Sequence, residues 1–451
     1  MLRWLPSLSQ HFLCATIALL VYILTTRSGQ VRRPPTSAIA WVMGLALFPY
    51  GILPLYLLFG RRKLKASRVA HGVTADSNGH WAAALIETFG LPAPSPTAVR
   101  LHANGEQARD VLWETIESAC RQLDVCTFLI GNDGLGRELL VRLTHRAQAG
   151  VQVRVLVDGA GLWLTRHPSF AALQAAGGQV RIFHPLWSLH RYGPRNLRNH
   201  RKLVVADGAR LWSGGRNLAA EYFCGEPSGS PPWIDLSFDL CGAVVTAAAR
   251  QFVLDWQQGA KSEPQRETCP EPAGAPVQYL PSGPDQAEDT VQAVLLAGCF
   301  RAQFRLLAVT PYFVPDESLL TAMRLAALRG VRLTLVLPQS SNHRLADFVR
   351  ARALRELAAA GADIRLVPQM VHAKAVVIDD SLALCGSVNL DARSLLINYE
   401  AQFVFYGTNE IDWLGQWIEA LAARGAPFSP SAPTLLRDLA EGLLLTIAFQ
   451  L

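Results

Sequence analysis

The 451-residue sequence predicts an α/β protein: two tandem domains of mixed sheet flanked by helices, related by a pseudo-twofold, behind an N-terminal transmembrane helical hairpin. Three observations carry this expectation. Beyond residue 98, apolar runs of strand length alternate with Ala/Leu-rich stretches of helical spacing. That alternating pattern occurs twice. Ahead of it stand two uncharged apolar runs and no acidic residue before Asp76. At roughly 100–200 residues per domain the length allows two or three domains with ample core. With 50% hydrophobic and 17% charged residues, a disordered or fibrous chain is excluded.

The apolar runs come first. Residues 12–26 form one and residues 37–59 the other, which sets candidate spans at about 5–26 and 37–59 in a membrane unit 1–65. The second run meets the roughly 20 residues a spanning helix needs, with kinks expected at Pro49 and Pro54. The first is short unless residues from Trp4 onward join it. A signal peptide is the alternative for it, but the flank Thr25–Ser28 has no small-x-small cleavage pattern and a second apolar run follows at once. Arg27, Arg32 and Arg33 lie between the runs, and Arg61, Arg62, Lys63, Lys65 and Arg68 follow them. By the bias of Lys and Arg toward the cytoplasm, the hairpin places the N-terminus and the large domains on the cytoplasmic side. The net charge of +6 hints at nucleic acid, but residues 1–75 hold nine Lys/Arg and no acid. The remaining 376 residues hold 33 basic and 36 acidic groups. The body is therefore slightly acidic, and no nucleic-acid partner is expected. The eight cysteines form no CxxC pair and no Cys/His cluster of zinc spacing, so no metal site and no disulfide framework is expected.

Strands are expected over 151–157, 180–183, 203–206 and 331–337, and helices over 138–149 and 318–328. The domains are expected over 98–260 and 285–451, joined by a Pro-, Gly- and Glu-rich linker at 261–284. A Leu-rich C-terminal stretch, 435–451, reads either as an interfacial helix or as a helix packed on the domain.

Each repeat carries one constellation with identical spacing. The first is His200-x-Lys202, four residues, Asp207, six residues, Gly214–Gly215-x-Asn217. The second is His372-x-Lys374, four residues, Asp379, six residues, Gly386–Ser387-x-Asn389. A single HxK arises by chance; two full copies at corresponding places do not. In an extended strand residues two apart share a face, so each His and Lys project together. Gly215 and Ser387 allow close backbone approach to an anion, and Asn217 and Asn389 add donors. Two such sets facing each other suit a phosphodiester. The lysines and asparagines stabilise charge on the non-bridging oxygens, one His attacks phosphorus, and the other protonates the leaving oxygen. Asp207 and Asp379 read equally as catalytic support and as turn residues after a strand.

These motifs resemble those of the phospholipase D superfamily, and "GSVNLDARSLLINYE" with "TPYFVPDESLL" and "HAKAVVIDD" resembles its bacterial cardiolipin synthase branch. The resemblance implies phosphatidyl transfer between two phosphatidylglycerol molecules with release of glycerol, a covalent phosphatidyl-histidine intermediate, and no cofactor or obligatory metal. It makes His200 the nucleophile and His372 the acid, then base. It matches Glu221 and Glu400 to family acids that hold the histidines, although they follow His200 and His372 at different offsets. Ile234 stands where the family has Arg. The basic stretch before the first motif, with Arg191, Arg195 and Arg198, reads as a collar for anionic headgroups or as a solvated loop. The nearest rival activity is a phospholipase D making phosphatidic acid, and a superfamily nuclease is disfavoured by the acidic body. The motifs leave the acceptor and the oligomeric state unspecified.

Overall fold

A computed structural model describes residues 7–29, 35–60, 79–165, 167–185, 196–225, 229–257 and 274–448. The first half contributes strands β1 (Ser95–His102), β2 (Gln122–Thr127), β3 (Gln152–Asp158), β4 (Gln179–Phe183), β5 (Leu203–Ala206), β6 (Arg210–Gly214) and β7 (Ser237–Gly242). The second contributes β8 (Ala275–Ser282), β9 (Arg305–Val309), β10 (Phe313–Val314), β11 (Arg332–Pro338), β12 (Asp363–Val367), β13 (Ala375–Ile378), β14 (Leu382–Gly386), β15 (Leu390–Asp391), β16 (Glu400–Phe405) and β17 (Ala426–Pro427). The strands and helices expected from the sequence appear within a few residues of their expected bounds.

All strands but β10 and β15 belong to one sheet of order β17-β12-β11-β9-β13-β14-β16-β8-β1-β7-β6-β5-β2-β3-β4. Reading outward from the β8–β1 seam, the two halves repeat the same order of seven strands, and the second adds β17 antiparallel to β12 at its edge. The seam itself is antiparallel, with Ser95 opposite Val277 and Thr97 opposite Ala275. Within each half the outer strands (β2, β3, β4 and β9, β11, β12) are parallel and the inner ones antiparallel. Helices cover both faces, so β5 and β13 are buried along their whole length.

This continuous sheet moves two expected boundaries. Part of the expected linker, 275–282, is β8, a central strand whose partners are β16 and β1. An apolar strand (Val277, Tyr279, Leu280) is buried here because it closes the seam. Described residues ahead of the expected domain start at 98 also belong to the folded body. A short helix, Trp81–Glu87, packs on the second half: His80 Nε2 lies 2.9 Å from Ser381 Oγ, and Trp81 lies under the Arg301 guanidinium.

The N-terminal unit departs from the expected hairpin. Helix α1 (Leu8–Gly29) is continuous, and its Leu8–Thr26 portion is long and apolar enough to cross a membrane. The second apolar run is two helices, α2 (Pro35–Leu47) and α3 (Pro49–Phe59). They fold back on each other at Phe48: Trp41 and Tyr56 rings meet at 5.2 Å, and Gly44 faces Ile52. A continuous helix would hold residues 41 and 56 about 22 Å apart. The break falls where Pro49 takes the first helical position, so its missing N–H costs no hydrogen bond. Thr25 Oγ1 meets Tyr56 OH at 2.6 Å, and His11 Nε2 lies 3.2 Å from the Ala46 carbonyl. The tip of the α2–α3 turn therefore lies beside the start of α1, and the end of α3 beside the end of α1.

Asp207 and Asp379 occupy the turns after β5 and β13, at φ 52° and 49°. Asp tolerates this left-handed geometry. The Asp207 carboxylate accepts from the amides of Cys120, Arg121 and Gln122 at 2.7–2.8 Å. Asp379 accepts in the same way from Gln303, Phe304 and Arg305 at 2.8–2.9 Å. Each carboxylate thus pins a turn to the start of β2 or β9, at the opposite end of its strand from the histidine. This corrects the catalytic reading of both aspartates in favour of the turn reading. Asp207→Ala or Asp379→Ala strands three amides and is expected to cost about 1–3 kcal/mol of stability, seen as a lowered thermal midpoint, with near-normal turnover per folded molecule. Lost turnover at an unchanged midpoint would return these residues to the chemistry.

Candidate active site

The two motif strands carry the site. β5 is antiparallel to β2 (Leu203 opposite Cys126), and β13 to β9 (Ala375 opposite Val309). His200 and His372 therefore emerge beside the C-terminal ends of β2 and β9. Each is fastened to the other half through its backbone: His200 N donates to Tyr399 O at 2.8 Å, and His372 N to Ile234 O at 2.7 Å. The residue after each acceptor is an acid. His200 Nδ1 lies 3.0 Å from both oxygens of Glu400, and His372 Nδ1 lies 2.7 Å from Asp235 Oδ2. Each imidazole thus donates Nδ1–H to a carboxylate from the opposite repeat. That fixes the tautomer and turns Nε2 toward the site.

Burial and charge shape the protonation states. Lys202 and Lys374 are buried, and desolvation pulls their ammonium groups down to about 8 and about 7. Lys202 Nζ donates to His200 O at 2.9 Å; Lys374 Nζ donates to His372 O and lies 2.9 Å from His372 Nε2. Burial, then Lys374, lowers His372 to about 3. His200 is also lowered by burial, with Glu400 opposing. Burial alone would raise Glu400 and Asp235, but their histidines and the lysines hold both carboxylates below the usual range. Lys374 acts on His200 and Lys202 acts on His372, so the two sets form one electrostatic centre. The centre suits an anion with a reacting atom between two Nε2 groups: two cations ready to take up charge, and two neutral, oriented imidazoles.

The asparagines are placed symmetrically. Asn217 Nδ2 donates to Tyr222 OH at 2.8 Å and Asn389 Nδ2 to Ser394 Oγ at 3.2 Å, while Oδ1 of both is buried without a hydrogen-bond partner. The small residues before them serve the acids instead of lining an open anion nest, which corrects that expectation. A Cβ on Gly214 or Gly386 would strike Leu236 O or Ala401 O. A Cβ on Gly215 would lie 2.2 Å from Asp235 Oδ1. Ser387 takes a different role: its hydroxyl donates to Glu400 and accepts from Ala401 N at 2.9 Å.

Two further expectations change. The acid on His372 is Asp235, not Glu221, which sits in a 3₁₀ turn whose carbonyl accepts from Trp233 N. Gly215 N bonds Leu236 O, and Ser387 N bonds Ala401 O, so Asp235 is the counterpart of Glu400. The sequence signal is an acid heading an apolar strand after each G-x-x-N, but Asp235 lies 18 positions beyond Asn217 whereas Glu400 lies 11 beyond Asn389. Arg198 is no collar residue: it is buried, bonding the His184 carbonyl at 2.9 Å and pairing with Asp158 at 3.3 Å. Arg191 and Arg195 lie outside the described residues. Three rings frame the histidines without any sequence signal: Phe128 against His200, and Tyr222 and Trp233 against His372, with centroids at 4.9–5.7 Å.

Comparison with known proteins matches this geometry to a family. A family model described as "Cardiolipin synthase, PLD-like domain" matches residues 112–226 and 299–422, and one described as "Phospholipase_D-nuclease N-terminal" matches 14–61. Cardiolipin synthase A of Pseudomonas aeruginosa PAO1 is 31% identical over 94% of this chain and 91% of its own length. The Pseudomonas putida protein of that name is 32% identical over 89% and 87%. Among solved structures, phosphatidylserine synthase of Haemophilus influenzae shares the fold, with TM-score 0.61 at 14% identity over 80% of this chain and 96% of that one.

Asp235→Asn and Glu400→Gln are each expected to lower kcat about 10²–10⁴-fold with little change in KM, since each leaves an imidazole unoriented. Gly215→Ala should approach the same loss by displacing Asp235, whereas Glu221→Gln should stay near wild type. Initial rates on phosphatidylglycerol micelles decide this, and a near-normal Asp235→Asn rate would remove Asp235 from the site.

Proposed function

Since the chain belongs to the cardiolipin synthase family of the phospholipase D superfamily, we propose that it moves a phosphatidyl group from one phosphatidylglycerol to the headgroup hydroxyl of another, releasing glycerol. The observation that carries this reading is the pair of histidines, each oriented by a carboxylate of the opposite repeat with a lysine of its own. His200 Nε2 attacks phosphorus, and His372 Nε2 gives a proton to the departing glycerol oxygen. The phosphatidyl-histidine forms as the phosphorus–glycerol oxygen bond breaks. His372 then takes the proton of the incoming lipid hydroxyl, which attacks phosphorus and releases His200. Lys202 and Lys374 carry the charge on the non-bridging oxygens. An anion that engages Lys374 draws it from His372 and lets that ring hold a proton.

His200 suits the nucleophile because its side chain is the more accessible, 13% against 4% for His372. One observation favours the exchanged assignment: His372, lowered to about 3, is the harder of the two to protonate. A micelle assay with labelled phosphatidylglycerol tests the reading. Cardiolipin and glycerol are the expected products, and His200→Ala and His372→Ala should each abolish turnover. Enzyme denatured in dodecyl sulfate at mildly alkaline pH, where a phosphorus–imidazole bond survives, should carry its phosphatidyl group on His200; a label on His372 reverses the roles. Phosphatidic acid as the main product would make the protein a hydrolase.

We read the halves as tandem phospholipase D-like domains about a pseudo-twofold through the β1–β8 seam, supported by the mirrored strand order. We also read the N-terminal unit as embedded in the cytoplasmic membrane, with α1 as its one crossing and α2–α3 entering and returning on the same side, in place of the expected two-span hairpin. The 13-residue α2 reaches only about 20 Å against a hydrocarbon core of about 30 Å. On this reading Arg27, Arg32, Arg33 and the five cations of 61–68 flank one membrane face, which is then cytoplasmic. The catalytic body stays inside as expected, but the N-terminus moves outside, contrary to the simple hairpin. An alkaline phosphatase fused ahead of α1 should be active and one fused at residue 79 inactive; an inactive N-terminal fusion would restore the hairpin.

A further inference from the structure

The histidines emerge at the C-terminal ends of β2 and β9, and the segments leaving the neighbouring strands form the rim around them. On the first half, β3 ends at Asp158, whose carboxylate accepts from Asn199 N at 2.8 Å beside His200. The helix that follows, Gly159–Thr165, exposes Trp163 and Leu164 to about two-thirds of their surface. On the second half, the helix after β11, Arg344–Ala359, exposes Leu345. Against it lies the C-terminal helix Leu435–Ala448. Leu444 and Leu445 pack against the buried cluster of Val314, Ala346 and Val349, while Glu441 pairs with Arg355 and Arg437. Val314 belongs to β10, which pairs with β15 directly after Asn389.

At 100° per residue, Arg437, Glu441, Leu444 and Leu445 share one side of this helix, and Leu435, Leu436 and Leu439 share an arc of about 100° on the opposite side. The inner side is fixed to the body by apolar contacts and ion pairs, while the three leucines are 57–80% exposed. The C-terminal stretch therefore packs on the domain and also presents an apolar face. Water gives no reason for exposing a tryptophan and two leucines on the helices that follow β3 and β11, and three more leucines on the helix packed against the second of these.

The chemistry of the substrate identifies what covers them. This step rests on the phosphatidyltransferase reading. Drawing a diacyl lipid wholly into water costs about 0.8 kcal/mol per CH₂, so the phosphodiester must be reached while the acyl chains stay in the bilayer. The mouth must then meet the membrane, and an indole with leucines is the composition that partitions to that depth. We propose that Trp163, Leu164, Leu345, Leu435, Leu436 and Leu439 form a docking rim that seats the catalytic mouth in the surface of a phospholipid bilayer. The rim is a second membrane contact, separate from α1, made by the catalytic body itself.

The full chain in phosphatidylcholine vesicles tests this. Leu435→Ser, Leu436→Ser and Leu439→Ser together should lower the rate on bilayer phosphatidylglycerol about tenfold, while the rate on dihexanoyl-phosphatidylglycerol supplied as monomers stays within about twofold. Unchanged turnover of the bilayer substrate overturns the proposal, and so does an equal fall on both substrates, which makes the leucines structural. Quenching by acyl-brominated phosphatidylcholine gives a readout without turnover: Trp163→Phe should reduce the quenched emission, and an unchanged quenched share overturns the rim. A wild-type chain inactive on both substrates but quenched at Trp163 would sink the transferase reading and leave the rim standing. If the serine variant instead turns dimers into monomers at an unchanged bilayer rate, a second copy covers the leucines and the proposal fails.

Discussion

The interaction on which the rest depends is the exchange of carboxylates across the seam. Glu400 holds His200 and Asp235 holds His372, so neither repeat completes its own imidazole. A buried carboxylate is tolerable only when paired and hydrogen-bonded, and each acid here pairs with a histidine of the opposite half while its own half adds further donors, Ser387 to Glu400 and Leu236 N to Asp235. The sheet is built to allow this. Strands β7 and β16, which the acids lead into, lie between the seam and the histidine strands, and the bridges Asn199–Tyr399 and Ile234–Val371 bring the exchange into register.

The seam has its own support, which is not symmetric. Arg201, between His200 and Lys202, is fully buried and joins Asp255, Asp285 and the Glu400 carbonyl. Ala373 takes the corresponding place in the second motif. A buried guanidinium with two carboxylates and two backbone carbonyls, Glu400 O and Ser282 O, ties the first motif to the helix Val244–Gln257 and to the loop after β8. The second motif is held by apolar packing in the larger core cluster, which includes Ala373 and runs through both halves. The repeats thus share a site design while differing in what braces it.

Much of this was legible in the sequence because it was written twice. Identical spacing from His to Asn in both repeats marked the strands, the turns and the four central side chains, and the family resemblance agrees with the comparisons. What escaped had a physical reason in each case. Asp235 was hidden by a longer excursion between Asn217 and β7. β8 was hidden because a seam strand next to a Pro- and Gly-rich segment reads as part of it. The fold-back at Phe48 was hidden because hydropathy measures how apolar a run is and not its direction; only Pro49, suited to starting a helix, hinted at it. Arg198 read as surface because nothing local announces that Asp158, forty residues earlier, is buried beside it.

The two repeats hold their acids in ways that cannot be exchanged one residue at a time. One repeat uses Gly215 with the short Asp235, and the other uses Ser387 with the longer Glu400. A side chain at 215 collides with Asp235, and a glycine at 387 strips a donor from Glu400. Passing from one solution to the other requires both positions to change, and each intermediate disturbs a histidine encoded elsewhere in the chain. The two halves are therefore not interchangeable at these positions, and a substitution in one repeat acts on the histidine of the other.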